Sequence, residues 1–275
     1  MFTSRYLFSL ALMCSGLAML SGCAAPTVSG EQAGQSASAI EHLAHTRIPP
    51  FSAAKAGSHV PLGWNEWLLH PTKKRTRYTV VPDGAQLVVR ADADRSASGL
   101  IAPLDVDLAT TPILEWQWRI DSTIADADNA VSSTEDAPVR VVLAFEGDKS
   151  SLPMRERLFA ERVRLLSGRD LPYASLMYIW GTRAPSGSLI ANPHTSRIQK
   201  LVVDSGSVNV RQWRKHRRNI AADYRRAFGS APGRLVAVAI MTDTDNTGSV
   251  SSAYYGDIRL VPAEPGELES LATGQ

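Results

Sequence analysis

The residues best suited to chemistry lie in one stretch, Leu235–Val261, which reads LVAVAIMTDTDNTGSVSSAYYGDIRLV. Asp243, Asp245 and Asn246 fall in an acidic, Gly/Ser/Thr-rich loop, and Asp257 follows on the next apolar run. Carboxylates two residues apart, followed by Thr and Gly, present alternate oxygens to a hard cation. Asp243, Asp245 and Asp257 therefore form a candidate site for a structural calcium ion. The match to a calcium-binding loop is partial, since Tyr254 stands where such a loop needs a bidentate Glu. The same residues also make a tight turn held by Asx and Ser/Thr side-chain bonds, with Asp257 tied to backbone or to an arginine.

Two further groups invite a ligand. Trp116 and Trp118 are two apart in LEWQWRI and so share one sheet face, while Glu115, Gln117 and Arg119 share the other. With Trp180, Tyr254 and Tyr255 they could stack on sugar rings from an exposed face. Paired indoles are equally what a core buries, and periodicity does not decide between the two. Arg211, Arg214, Lys215, Arg217, Arg218, Arg225 and Arg226 crowd into one block. Arg214 and Arg218 are the candidates there for an anionic lipid headgroup or a phosphorylated glycan, against the plainer reading of a solvated helix face.

Signatures of catalysis are sparse. There is no G-x-S-x-G elbow, no H-E-x-x-H and no phosphate-binding glycine loop. A polysaccharide hydrolase would need two facing carboxylates. Glu115, Glu146, Asp148, Asp243 and Asp257 are available, but no spacing singles out a pair.

Short segments rich in Val, Ile, Tyr and Trp must position these groups. They include Arg77–Val81, Gln86–Ala91, Ile113–Ile120, Val139–Phe145, Leu176–Gly181 and Ser196–Val203, separated by turns such as Pro82-Asp83-Gly84. This spacing predicts a mainly β chain, a jelly-roll-like antiparallel β-sandwich. Leu235–Met241 and Ala253–Val261 read as neighbouring strands joined by the acidic loop. Helical periodicity at Pro153–Leu166 and Val210–Phe228 predicts two helical insertions packed against the outside. With 275 residues, 44% of them hydrophobic, the chain can bury a full core, and its net charge of +2 gives no drive toward nucleic acid.

Both cysteines, Cys14 and Cys23, lie near the N-terminus, so the folded part expects no disulfide. Arg5, an apolar run and Leu20-Ser21-Gly22-Cys23 describe a secretory signal. LSGC resembles the lipobox of bacterial lipoproteins, which implies lipidation of Cys23 and a membrane anchor. Ala24, which is not acidic, implies the periplasmic face of the outer membrane. The organisation expected is a signal peptide (1–22), a flexible tether (23–48), a sandwich domain (49–262) and a C-terminal tail (263–275).

Several blocks together carry a family resemblance: RYTVVPDGAQLVVRADADRSASGL, LEWQWRI, VRVVLAFEGD, SLMYIWG, WRKHRRNIAADYRRAFG and VAIMTDTDNTGSVSSAYYGDI. They are similar to the bacterial domain of unknown function 3047 over Phe51–Val261. That resemblance implies a secreted or periplasmic β-rich domain and brings no activity or catalytic residue with it. The Tyr-Tyr-Gly-Asp-Ile strand is also similar to the last strand of jelly-roll carbohydrate-binding modules. The reading is a lipid-anchored envelope protein with a binding module for a glycan or other envelope component. A carboxylate-dependent hydrolase and an interaction scaffold are the alternatives.

Overall fold

The computed structural model describes residues 46–265. Cys23 with its lipobox, the tether through residue 45 and the tail from residue 266 lie outside the described residues. The chain divides into compact units at Met1–Ala39 and Ile40–Gln275, and every described residue belongs to the second.

Two sheets face each other. The larger runs edge to edge through β1 (Asn65–Leu68), β4 (Ala97–Val106), β11 (Leu235–Asp243), β6 (Ala137–Phe145), β7 (Ala174–Gly181), β9 (Ile198–Ser205) and β8 (Leu189–Ala191). The smaller runs through β10 (Arg214–Asn219), β5 (Ile113–Ile120), β12 (Val250–Tyr255), β3 (Gln86–Asp94) and β2 (Arg77–Asp83), with β13 (Arg259–Val261) also on β5. All pairings are antiparallel except β7 with β9, which run parallel. The fold is a jelly-roll-like β-sandwich with two helical insertions.

Alternation along the strands fills the space between the sheets. β6 sends in Val139, Val141, Leu143 and Phe145; β5 sends in Leu114, Trp116, Trp118 and Ile120; β7 sends in Leu176, Tyr178 and Trp180. Each such side chain contributes roughly 1.5–3 kcal/mol by leaving water. Unit Ile40–Gln275 thus holds both sheets and the whole described core.

The acidic loop departs from expectation. β11 and β12 do not pair with each other but lie in opposite sheets, so Thr244–Ser249 hands the chain across the sandwich rim. A bond from Ser249 N–H to the Thr244 carbonyl, 3.0 Å, closes that turn.

The first helix, α1 (Met154–Ser167), lies one residue from its expected place. Gly168 ends it in the left-handed region (φ 72°), donating to the Arg164 carbonyl at 2.8 Å. The second expected helix is shorter than its period suggests, with a strand in its first half. Arg214–Asn219 pairs with β5, from Arg214 opposite Trp118 to Asn219 opposite Ile113, and only Ile220–Phe228 is helical (α2). Sheet pairing with an available edge overrides a helical period here. Asn219 starts α2 by accepting from Ala222 N–H at 2.9 Å, and Ile220 and Tyr224 enter the main core rather than resting outside it.

Candidate functional site

The outer face of the larger sheet carries a cleft of about 450 Å³, within the range of small-molecule sites. Its floor follows from strand register. Ile101, Ala239, Val142 and Met177 stand side by side on β4, β11, β6 and β7, and Ala237 and Ala144 form the next pair along. Small side chains in the middle strands keep that floor low. On one side Trp67 and Leu68 form a wall, and on the other Val163 and Ser167 of α1 with Leu171 and Pro172. Gly99 makes the first wall possible, because a Cβ there would sit 2.9 Å from the Trp67 ring and 2.4 Å from the Ile240 carbonyl oxygen.

One end of the cleft is polar. Arg140 takes the floor position after Val142, buried on β6, and grips Asp243 with Nε to Oδ1 at 3.0 Å and Nη2 to Oδ2 at 2.9 Å. Asp243 Oδ1 also accepts from Ala137 N–H at 3.0 Å. Burial pushes the Asp243 carboxyl above its usual range, while the Arg140 guanidinium and the Ala137 amide act against that shift. Lys200 is fully buried, bonded to the Asn129 carbonyl at 2.6 Å and paired with Glu135 at 2.8 Å. Burial lowers its ammonium below the ordinary range, and the Glu135 charge pulls it back. Lys73 pairs with Asp245, while Ser132, Asn192, Asn246 and His194 add further hydrogen-bonding groups.

Of the expected metal ligands, two meet and one does not. Asp243 and Asp245 come together with Asp136, their oxygens within 4.8 Å of one another. Protein donors already serve all three. Asp136 accepts from Asn246 N–H at 3.2 Å and from Thr247 N–H at 2.7 Å, Lys73 pairs with Asp245 Oδ2, and the buried Asp245 Oδ1 has no hydrogen-bond partner among the described residues. Asp257 lies elsewhere, accepting from Ser52 N–H at 2.9 Å and Ser52 Oγ at 2.6 Å, with Arg259 at 3.3 Å. It pins the 3₁₀ turn at Phe51–Ala53 to the start of β13 instead of completing a calcium site.

The aromatic candidates are mostly interior. Trp116 is 3% exposed, Trp118 and Trp180 are 0%, and Tyr255 is 1%. None of them can offer a face to a sugar. Trp180 Nε1 donates to the Gly206 carbonyl at 2.9 Å, and Tyr255 OH donates to the Met241 carbonyl at 2.7 Å. Tyr254 alone is half-exposed, on the other face of β12, with the Arg119 guanidinium 4.1 Å above its ring.

The basic candidates are structural too. Asp204 of β9, buried between the sheets, accepts from Trp118 Nε1 at 2.7 Å and Arg214 Nε at 3.0 Å, and pairs with His216 Nε2 at 2.7 Å. Arg218 binds Asp223 of α2 through Nε at 2.9 Å, and Tyr178 OH donates to the same carboxylate at 2.8 Å. These carboxylates join one sheet to the other, and Arg214 and Arg218 take part in that join.

Burial alone would raise the Asp204 carboxyl, yet its bonds from His216 and Trp118 and the His216 and Arg214 partners hold it below the usual range. An acid depressed in the folded state contributes stability that is present above its unfolded value near ~4 and is lost as pH falls through the folded value. Asp204→Asn should therefore cost about 1–3 kcal/mol near neutrality. The gap from wild type should close as acid is added, which urea melts across the acid range would measure. A gap independent of pH would contradict this assignment.

Sequence reasoning missed Arg140, Asp136, Glu135, Lys73 and Lys200. Arg140 and Lys200 had a signal, each being a lone cation inside an apolar strand, VRVVLAF and IQKLVV. A charge in such a run is buried and must be answered.

The architecture is thus a jelly-roll-like sandwich with an apolar cleft, closed at one end by ion pairs, on its larger sheet. A family model, protein of unknown function DUF3047, matches residues 62–259, and the chain belongs to that family. No curated protein matches the sequence. Solved structures similar to it include the xyloglucanase domain of NopAA from Sinorhizobium fredii (10% identity, 76% of this chain and 97% of that one, TM-score 0.40). Others are the family 12 xyloglucanase of Bacillus licheniformis (7%, 79% and 99%, 0.41) and Trichoderma harzianum endoglucanase 3 (9%, 79% and 97%, 0.38).

Proposed function

We propose that this domain is a binding module whose cleft on the larger sheet holds an amphiphile with an apolar body and a neutral, hydroxyl- or amide-rich head such as a sugar. The observation that carries this reading is the division of the cleft. Ile101, Val142, Met177, Ala237 and Ala239 make an aliphatic floor, and Ser132, His194 and Asn246 stand at the ion-paired end. A bare glycan would gain little from the aliphatic floor, since the Trp67 indole stands in the wall and not beneath the ligand. At the ion-paired end a strongly charged head would meet Arg140, Lys200 and Lys73 already matched by Asp243, Glu135 and Asp245.

Catalysis is the weaker reading for the same reason. Asp243 is held by Arg140, Glu135 by Lys200 and Asp245 by Lys73, which leaves each carboxylate committed to a cation. The chain would meet its ligand in the cell envelope, anchored through Cys23, and Cys23→Ser should then release it from membrane fractions.

Decyl maltoside, below its micelle concentration, should raise the thermal midpoint of wild type. Ala144→Trp, which places an indole over the apolar floor from a half-buried position, should fold and lose that response. An equal response in wild type and Ala144→Trp would place the ligand elsewhere.

A further inference from the structure

α1 has two apolar stripes on opposite sides, and only one of them is used by the fold. At about 100° per residue, Phe159, Ala160 and Val163 fall on the side that meets the domain. Glu156 falls there too, buried, with its carboxylate accepting from Ser196 N–H at 3.1 Å, from Ser196 Oγ at 3.0 Å and from Thr195 Oγ1. Met154, Leu158 and Leu165 fall within about 40° of one another on the far side. They are 63%, 62% and 72% exposed, among the most exposed large apolar residues described.

Arginines border this outer ridge on both flanks. Arg155 and Arg162 lie along one side and Arg157 and Arg164 along the other, all exposed. The two acids of the helix offset only one of these arginines. Glu156 is turned inward, and Glu161, within about 20° of Met154 at the edge of the ridge, is bonded to Arg164 at 2.9 and 2.6 Å and offsets that arginine alone. A short apolar ridge between two rows of arginine matches the cross-section of a bilayer interface, with acyl chains below the ridge and phosphates beside it. The helix has 14 residues, against about 20 needed to cross a bilayer, and among the described residues no helix is long and apolar enough to span one.

We infer that the outer face of α1 docks on an anionic phospholipid surface, lying in the interface plane with Met154, Leu158 and Leu165 inserted. This stands whether or not the cleft takes a ligand. It uses the side of α1 opposite to Val163 and Ser167, which line the cleft.

The test is cosedimentation of residues 40–275 with phosphatidylcholine vesicles, with and without phosphatidylglycerol. Wild type should bind the anionic vesicles more tightly, and added salt should weaken that binding. Leu158→Glu combined with Leu165→Glu should weaken it by about tenfold or more. Arg155→Gln and Arg162→Gln should each weaken it roughly fivefold, near the ~1 kcal/mol of one basic residue at a charged surface. None of these exposed positions should move the thermal midpoint appreciably. Wild type failing to bind anionic vesicles, or all variants binding as wild type does, would overturn the inference. So would a wild-type dimer that Leu158→Glu dissociates, since the ridge would then belong to a second copy.

Discussion

Arg140→Ala should destabilise the domain by about 3–5 kcal/mol, because it removes one partner of a buried ion pair and strands the other. Asp243 would keep its bond from Ala137 N–H and lose both bonds from the guanidinium. The cost comes from a carboxylate left without its cation where burial already disfavours its charge. Neighbours would feel the loss as well, since Arg140 Nη2 also donates to the Glu135 carbonyl. For a domain of this size the midpoint should fall by roughly 6–20 °C. The double variant Arg140→Met with Asp243→Leu should recover much of that loss, because no charge remains to be buried. A single variant as stable as wild type would mean that the pair is not closed as described.

Trp180→Ala should cost a comparable amount, about 3–5 kcal/mol, through loss of a large core side chain and the cavity left behind. Trp180 is wholly buried on β7 and its indole N–H is bonded to the Gly206 carbonyl. A sugar-stacking tryptophan would behave in the opposite way, leaving the fold intact while binding declined. Urea melts of Trp180→Ala, beside a binding measurement, separate the two roles. Unchanged stability would return the indole to the list of ligand contacts.

These two residues also mark how far the sequence could be read. Alternation in LEWQWRI, VRVVLAF and SLMYIWG was enough for a sandwich, because period-two burial is a local property. Which face of LEWQWRI points inward was not local, since it depends on what the opposite sheet presents. Tyr178 of β7 stacks on Trp116 with ring centroids 4.8 Å apart, across a gap no single strand reveals. WRKHRRNIAADYRRAF was misread only in its first half, where Arg214–Asn219 found the edge of β5, while Ile220–Phe228 is the helix its period predicts. The acidic stretch was rightly placed at a rim. Asp136, its third carboxylate, lies 107 residues before Asp243 in the chain and could be found only by folding.

The cleft was invisible for the same reason. Ala144, Ala237 and Ala239 read as unremarkable strand residues, and they become a floor only when β6 and β11 lie side by side. Its polar end, by contrast, was partly legible through Asp243 and Asp245. That stretch, read as a candidate metal site, brings Asp243 and Asp245 beside Asp136 at the ion-paired end of an apolar groove, without Asp257.

The most direct measurement is calorimetric titration of residues 40–275 with decyl maltoside and, separately, with maltose, at several temperatures. The account predicts saturable binding of decyl maltoside with a negative heat-capacity change, as burial of apolar surface requires, and no measurable binding of maltose. Binding of maltose as tight as that of decyl maltoside, or an alkyl ligand bound equally well by Ala144→Trp, would contradict it.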